Sequence, residues 1–135
     1  MALTLEEKRA IIAYRLQKSE QAMVEARDNA QLKHWNLVAN RLYYAVFHAA
    51  TALLIDKGFS SKTHSGVICI LGQEFVMKGL LSKEDARLAS RLLNMRQAGD
   101  YDDLFDWTEE EEVAPLFPQT ETLLSKLKPL LSVYS

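Results

Sequence analysis

The sequence predicts an all-α fold, an antiparallel up-and-down bundle of four to five helices, on three observations. Only five glycines and three prolines interrupt its 135 residues. Apolar residues recur at steps of three, four and seven, which is the period of a helix face and not the alternation of a strand. Three segments, beginning at Thr4, Ser82 and Thr108, place a carboxylate three positions after a hydroxyl residue, as in a capping box. A chain of this length fits a single domain, residues 1–135.

The first half of the chain predicts three helices. The apolar face that follows the first capping box predicts a long helix over about residues 5–29. A short polar connection leads to a second helix over about 35–57, which Gly58 ends. This second helix is apolar on most of its circumference, so we expect other helices to surround it. A third, shorter helix is predicted over about 63–77.

The second half predicts a fourth helix and a last one. The fourth runs from Ser82 to about residue 98 and ends at Gly99. The last helix begins either near Thr108 or just before Pro118. The first alternative requires Pro115 and Pro118 to kink or split the helix, because proline lacks the amide hydrogen that a helix interior needs.

Composition excludes several classes of protein. Cys69 is the one cysteine, so a disulfide framework and a zinc site built of cysteines are excluded within one chain, and a reducing, cytoplasmic setting is expected. Its apolar neighbours predict that it is buried and unreactive. The amino terminus lacks the apolar core of a secretory signal. No uncharged apolar stretch approaches the roughly 18 residues of a membrane span, so no membrane partner is expected.

Charge is distributed unevenly along the chain. The net charge is −2, from 16 basic and 18 acidic residues. Residues 100–112, "DYDDLFDWTEEEE", contain eight of the acidic residues and none of the basic ones, so the remainder has 16 basic against 10 acidic residues, a net charge of +6. The body of the domain is therefore mildly basic and one segment strongly acidic, and this division bears on any interaction with a nucleic acid.

A polar stripe runs along the apolar second helix. Asn40, Arg41, Tyr44, His48 and Thr51 lie three or four positions apart and therefore share a face. One interpretation is that Arg41 pairs with a carboxylate while Tyr44 and His48 make ordinary hydrogen bonds in the core. The other is that the stripe lines a polar cleft and supports an arginine from another helix.

Two further groups of residues are candidates for a functional site. Arg96 stands in the last turn of the fourth helix. There it either complements the helix dipole and pairs with Asp100 or a neighbouring aspartate, or it belongs to a functional site.

Lys62 and His64 stand beside the start of the third helix, a place suited to binding phosphate, although a lone histidine there is most often only a surface residue. The sequence contains no glycine-rich phosphate loop and no metal-ligand spacing, so neither a metal nor a cofactor is expected.

The ordered set of these motifs resembles a known family. "ANRLYYAVFHAATALLIDKG", "KTHSG", "EFVMKGLL" and "MRQAGDYDD" follow one another in the order and spacing of the prokaryotic HEPN domain, and the resemblance covers about residues 5–130. The chain is most similar to the small stand-alone HEPN proteins, which are often encoded beside a minimal nucleotidyltransferase.

This resemblance implies both a fold and an activity. It implies a bundle of four or five helices that forms a homodimer, and in many members a metal-independent ribonuclease with a motif arginine and histidine facing a dimer cleft. Arg96 matches the motif arginine, Asp100 an accompanying polar position, and Tyr101 stands where the histidine would be. Related toxins carry a tyrosine there that the partner nucleotidyltransferase adenylylates.

Three functions remain open from the sequence. The chain is a toxin-like protein that acts on RNA around Arg96 and is restrained by a nucleotidyltransferase, or a non-catalytic module that binds a nucleotide or a protein partner, or a dimerising scaffold. Under the first two, Arg41, Tyr44 and His48 are expected to border the same groove as Arg96.

Overall fold

The computed structural model describes residues 3–101 and 110–132, and of residues 97–101 it describes the backbone alone. Within these ranges the chain is helical and contains no strand, which confirms the predicted all-α bundle. The helices are α1 (Leu5–Gln31), α2 (Trp35–Asp56), α3 (His64–Leu71), α4 (Lys83–Tyr101), the single-turn α5 (Glu110–Val113) and α6 (Leu116–Leu127). A π-helical turn (Gly72–Val76) follows α3, and a 3₁₀ turn (Lys128–Leu130) follows α6.

Helix α2 is the centre of the bundle. It packs against α1, α3, α4, α5 and α6, and more than half of its residues are buried. The expectation that no stretch is long and apolar enough to span a membrane was wrong for this helix, which meets both criteria. A core helix meets them equally well, because a helix enclosed by other helices needs apolar residues around most of its surface.

Small residues let α1 approach α2 closely. Ala45, Ala49 and Ala52 of α2 are almost completely buried. The hydroxyl of Ser19 in α1 donates a hydrogen bond of 2.7 Å to the backbone carbonyl of Ala45. This contact satisfies a buried hydroxyl and fixes the two helices at a distance that a larger side chain would prevent.

The start of α4 is tied to α6. Ser82 and Asp85 form the predicted capping box, in which the Asp85 amide donates to the Ser82 hydroxyl at 3.1 Å and the Ser82 amide donates to the Asp85 carboxylate at 2.9 Å. The same carboxylate pairs with Lys126 of α6 at 3.2 Å. Both contacts fix the position of α4, the helix that carries Arg96.

Two predicted helices in the middle of the chain differ from the structure in detail. The third was expected over about residues 63–77, and the helical stretch does run from His64 to Val76, but after Leu71 it widens into the π-helical turn, in which the Met77 amide donates to the Gly72 carbonyl five residues earlier. Gly99 was expected to end the fourth helix, whereas the backbone stays helical through Gly99 to Tyr101. Glycine is tolerated inside a helix at a cost of about 1 kcal/mol relative to alanine.

Cys69 is exposed, which contradicts the prediction that it is buried. Its apolar neighbours Val67, Ile68 and Leu71 occupy the buried side of α3, and Cys69 falls on the opposite side. The chain does divide at the prolines, because α5 ends at Val113 before α6 begins. Thr108, the other predicted start, lies outside the described residues.

The ends of α1 and α2 have the same hydrogen-bond pattern but different residues at the critical position. After α2, Gly58 has φ +85°, and the amides of Gly58 and Phe59 donate to the carbonyls of Ile55 and Leu54. After α1, Lys33 has φ 62° in the equivalent position. Any residue with a β-carbon is strained in this left-handed conformation, by roughly 1 kcal/mol.

We therefore expect Lys33→Gly to raise the free energy of unfolding by about 0.5–1 kcal/mol, and Gly58→Ala to lower it by about 1 kcal/mol, because both effects act through the same backbone conformation. Chemical denaturation of the two variants and the wild type measures both changes. Destabilisation by Lys33→Gly would show that the Lys33 side chain stabilises the end of α1 by more than its backbone strain costs.

Candidate anion-binding site

The polar stripe of α2 forms the partly exposed edge of an otherwise buried helix. The five residues of the stripe are all of intermediate exposure, whereas most residues on the other sides of α2 are buried. The five are Asn40, Arg41, Tyr44, His48 and Thr51. Arg41 is held from two directions: it donates to the Asn40 side-chain oxygen at 2.6 and 3.0 Å and pairs with Glu25 of α1 at 3.1 Å. Its guanidinium carbon lies 5.0 Å from the centre of the Tyr44 ring.

Arg96 of α4 reaches the same edge of α2. Its guanidinium carbon lies 5.5 Å from the centre of the Tyr44 ring and 5.9 Å from that of Tyr43, both within the range of a cation–π contact. The structure thus brings the arginine at the end of α4 to the hydrophilic edge of α2, which sequence spacing alone left open. Arg96 is itself only partly exposed.

His64, the first residue of α3, joins the site through Tyr43. The Tyr43 hydroxyl lies 2.5 Å from His64 Nδ1, and the His64 ring stacks on Phe47 at 4.2 Å between centres. Burial lowers the pKa of His64, and the charges of Arg96 and Arg15 lower it further. Burial also raises the pKa of Tyr43, which keeps its hydroxyl protonated.

The local sequence around His64 requires a glycine. The Thr63 hydroxyl caps α3 by accepting a hydrogen bond of 2.9 Å from the Gly66 amide. A β-carbon on Gly66 would lie 2.0 Å from the Ser61 hydroxyl oxygen and 2.7 Å from that of Thr63. The "SKTHSG" segment is therefore a capped helix start that sets the position of the His64 ring.

His48 contacts an arginine from α1. Arg15 Nη1 lies 3.0 Å from His48 Nδ1. Burial lowers the pKa of His48 to about 4, and the positive charges of Arg15, Lys18 and Arg41 add to this effect. His48 is therefore neutral at physiological pH.

We refer to these residues together as the arginine–aromatic cluster. It joins four helices, and its members are Arg15 (α1), Arg41, Tyr43, Tyr44, Phe47 and His48 (α2), His64 (α3) and Arg96 (α4). Among the described contacts of these residues there are three guanidinium groups and one carboxylate, that of Glu25. The cluster is thus cationic and rich in π faces, as is typical of sites for phosphate and for stacked bases.

The structure brings together most of the predicted site residues. Arg96, Arg41, Tyr44, His48 and His64 belong to the cluster, and Asn40 positions Arg41. Lys62 is exposed, and its side chain takes no part in the contacts described for the cluster. The side chains of Asp100 and Tyr101 lie outside the described residues.

The sequence interpretation missed three members of the cluster. No feature of the sequence distinguishes Tyr43 and Phe47 from the core residues of α2, and only their contacts with His64 show that they belong to the site. Arg15 lies on α1 next to the buried face that contains Ile12 and Ser19. Its position one turn from these buried residues was the one feature of the sequence that could have indicated a role for Arg15.

The cavities described for residues 3–101 and 110–132 are not lined by members of the cluster. The largest described cavity, about 790 Å³, lies elsewhere, between the first half of α1, Asp56 and Ser132. Within residues 3–101 and 110–132, no group of three or more histidine, cysteine, aspartate or glutamate side chains could hold a metal ion. The described part of the site consists of hydrogen-bond donors and aromatic rings on an open surface.

The comparison with known families covers nearly the whole chain. Residues 12–130 match the HEPN domain. The chain belongs to the HEPN family. This match includes every member of the cluster, from Arg15 on α1 to Arg96 on α4.

Individual HEPN relatives extend the comparison. A UPF0332 protein of Thermotoga maritima is 32% identical over 127 residues, which are 94% of this chain and 96% of that protein. Two proteins of Methanocaldococcus jannaschii are named as candidate toxins. One is 35% identical over 67% of this chain and 66% of its own length, and the other is 28% identical over 86% and 78%.

The depressed pKa of His48 predicts sensitivity to acid. Its folded-state pKa of about 4 lies below the ordinary value of 6.5, so protons bind the unfolded chain more tightly. The corresponding stability is fully present above about pH 6.5 and is lost as the pH falls towards 4. We expect His48→Asn, whose side-chain oxygen can still accept from Arg15, to lose less stability over this interval than the wild type.

Denaturation of the wild type and the variant at several pH values between these limits measures the difference. His34→Asn, at an exposed position, is the matched control for loss of an imidazole. Parallel stability curves for His48→Asn and the wild type would contradict the assignment of a neutral, desolvated His48.

Proposed function

We propose that this HEPN protein is of the toxin type and that its arginine–aromatic cluster binds RNA phosphodiesters, in the cleft of a homodimer. The observation that carries the proposal is the convergence of Arg15, Arg41 and Arg96 from three helices on one set of aromatic rings. Guanidinium groups match phosphate oxygens in geometry and charge, and the rings offer faces on which bases stack.

The arrangement of charge supports an anionic ligand. Three guanidinium groups contact one set of aromatic rings, whose negative faces attract cations and whose stacking surfaces remain available to a ligand. A phosphodiester placed between the guanidinium groups would release condensed counterions from the RNA. A ligand of this kind needs no metal.

A second copy of the chain is proposed to complete the cleft. Most cluster side chains are partly exposed, and none of them lines either of the cavities described for residues 3–101 and 110–132. A binding surface that is open on one side excludes water well only when another surface covers it. The homodimer implied by the family resemblance would bring a second cluster to face the first.

The proposed toxin role is supported by two named relatives, and the proposed restraint by a partner is supported by the family resemblance. Two relatives are named as candidate toxins. We propose that a minimal nucleotidyltransferase is the partner that restrains the protein, with Tyr101 as the target of modification and with Arg96, Asp100 and Tyr101 as the catalytic set if the RNA is cleaved. A phosphate-linked anion on Tyr101 would add negative charge to the protein and would therefore disfavour the binding of RNA.

One observation favours a second function, a non-catalytic module that binds a nucleotide. The described members of the cluster are arginines, a phenylalanine, tyrosines and histidines, and both histidines have lowered pKa values because of burial and nearby cations. The arginines and the N–H groups of the histidines can donate hydrogen bonds to an anion, whereas a lowered pKa makes each histidine a weaker base than an ordinary imidazole. Binding without cleavage is the outcome expected of this function.

Substitution of Arg96 separates these functions. We expect Arg96→Ala to weaken RNA binding by roughly 10- to 100-fold, because it removes a hydrogen bond to a charged group. We also expect the slope of log affinity against log salt concentration to fall by the amount that corresponds to one phosphate contact. Arg91→Ala, an exposed arginine on the same helix, is the matched control. Fluorescence anisotropy with a labelled single-stranded RNA, in EDTA, measures both quantities.

The same reactions, resolved on a gel, show whether the RNA is cleaved. Cleavage by the wild type that Arg96→Ala abolishes supports the toxin-like ribonuclease, and binding without cleavage supports the non-catalytic module. Equal binding by Arg96→Ala, Arg91→Ala and the wild type would contradict both, because the cluster would then not be the anion site.

A further inference from the structure

The two histidines of the cluster share an uncommon arrangement, in which Nδ1 of each ring is occupied by a hydrogen-bond donor from a neighbouring residue. Arg15 approaches Nδ1 of His48 at 3.0 Å, and Tyr43 approaches Nδ1 of His64 at 2.5 Å. The histidines lie on different helices, and so do their two partners, which belong to α1 and α2. Chemistry fixes the direction of the hydrogen bond to His48, and the burial of Tyr43 indicates the direction of the one to His64.

For His48 the direction follows from the partner. A guanidinium has only donors, so Arg15 donates and Nδ1 of His48 accepts. An accepting Nδ1 bears no proton, and the neutral imidazole must then carry its proton on Nε2. Arg15 and Arg41 also oppose a positive charge on this ring.

For His64 the direction follows from burial. Tyr43 is completely buried, and its hydroxyl needs an acceptor because an unmade hydrogen bond in the interior costs about 1–3 kcal/mol. His64 Nδ1 is the acceptor that the described contacts provide, so the hydroxyl donates and the proton of His64 also resides on Nε2.

We infer that His48 and His64 serve the cluster as neutral Nε2–H donors to phosphate oxygens, and that Arg15 and Tyr43 are the positioning residues that fix this state. The inference rests on the proposed function, because it names further groups that bind the same phosphodiester. Both rings are partly exposed, and each lies close enough to two of the three guanidinium groups to be influenced by their charge: His48 to Arg15 and Arg41, and His64 to Arg15 and Arg96.

This assignment has a consequence for the pH dependence of binding. An ordinary histidine near a phosphate gains a proton as the pH falls through about 6.5 and then binds the anion more tightly. The groups that face His48 are Arg15 and Lys18 from α1, Arg41 from α2 and His64 from α3, and those that face His64 are Arg15, Tyr43 and Arg96. None of these described groups is a carboxylate, so none of them assists either ring in gaining a proton.

The test uses the full chain and a 2′-O-methylated oligouridylate, which cannot be cleaved by its own 2′-hydroxyl and which keeps its charge between about pH 5 and pH 8. Anisotropy titrations give the affinity at each pH. We expect the affinity of the wild type to change by less than about twofold across this range. In Tyr43→Phe the proton of His64 is no longer held on Nε2, so we expect this variant to bind about two- to fivefold more weakly than the wild type at every pH.

A pair of substitutions at His64 tests the donor itself. His64→Asn retains an acceptor near the Nδ1 position but has no group at the Nε2 position, so we expect weaker binding at every pH. His64→Gln reaches the Nε2 position with its amide N–H and is expected to restore part of the loss. His34→Asn, outside the cluster, is expected to bind like the wild type. Long-range ¹H–¹⁵N correlation spectra report directly which nitrogen of each ring bears the proton.

The outcomes separate this inference from the proposed function. Binding by the wild type that tightens strongly on acidification, or a proton on Nδ1 of either ring, would overturn the inference and leave RNA binding by the cluster intact. Equal affinities of His64→Asn and His64→Gln to the wild type would also overturn it. Absence of oligouridylate binding at every pH would overturn the proposed function, and the inference with it.

Discussion

The structure depends on the burial of one helix that is not wholly apolar. Helix α2 is enclosed by five others, yet one of its edges carries an arginine, a tyrosine and a histidine. Polar groups at this partly exposed edge cost free energy where they are buried without a partner, and among the described residues the Thr51 hydroxyl is in that position. Other groups have partners on α1, α3 and α4, and so the requirement of satisfying α2 is what assembles the site.

The polar contacts across this edge are of two kinds. Some are directed hydrogen bonds, such as that from Tyr43 to His64 and that from Arg15 to His48. Others are cation–π contacts, of which Arg96 over Tyr44 is the clearest. Cation–π contacts hold a guanidinium in place without using its N–H donors, so the ring face can support a cation that also binds an anion. The aromatic residues of α2 therefore position the arginines as well as filling the core.

Sequence patterns predicted the parts of the fold that depend on neighbours along the chain. The span of α2, the role of Gly58 and the capping box at Ser82 follow from local propensity and hydrogen bonding, and the structure contains each of them. The π-helical turn, the helical Gly99 and the exposed Cys69 did not follow, because tertiary packing decides whether an irregular turn is tolerated and which side of a short helix is buried. The stripe of α2 was visible as a face, but its partners Arg15 and His64 are distant in sequence, and only the fold brings them to it.

The central claim is that arginines from three helices border one anion site. The most direct measurement is an NMR titration of the arginine Nε–H signals with a 2′-O-methylated oligouridylate. The claim predicts that the signals of Arg15, Arg41 and Arg96 shift together and saturate with a single dissociation constant, while those of Arg27 and Arg91 stay in place. Shifts confined to arginines outside the cluster would contradict it.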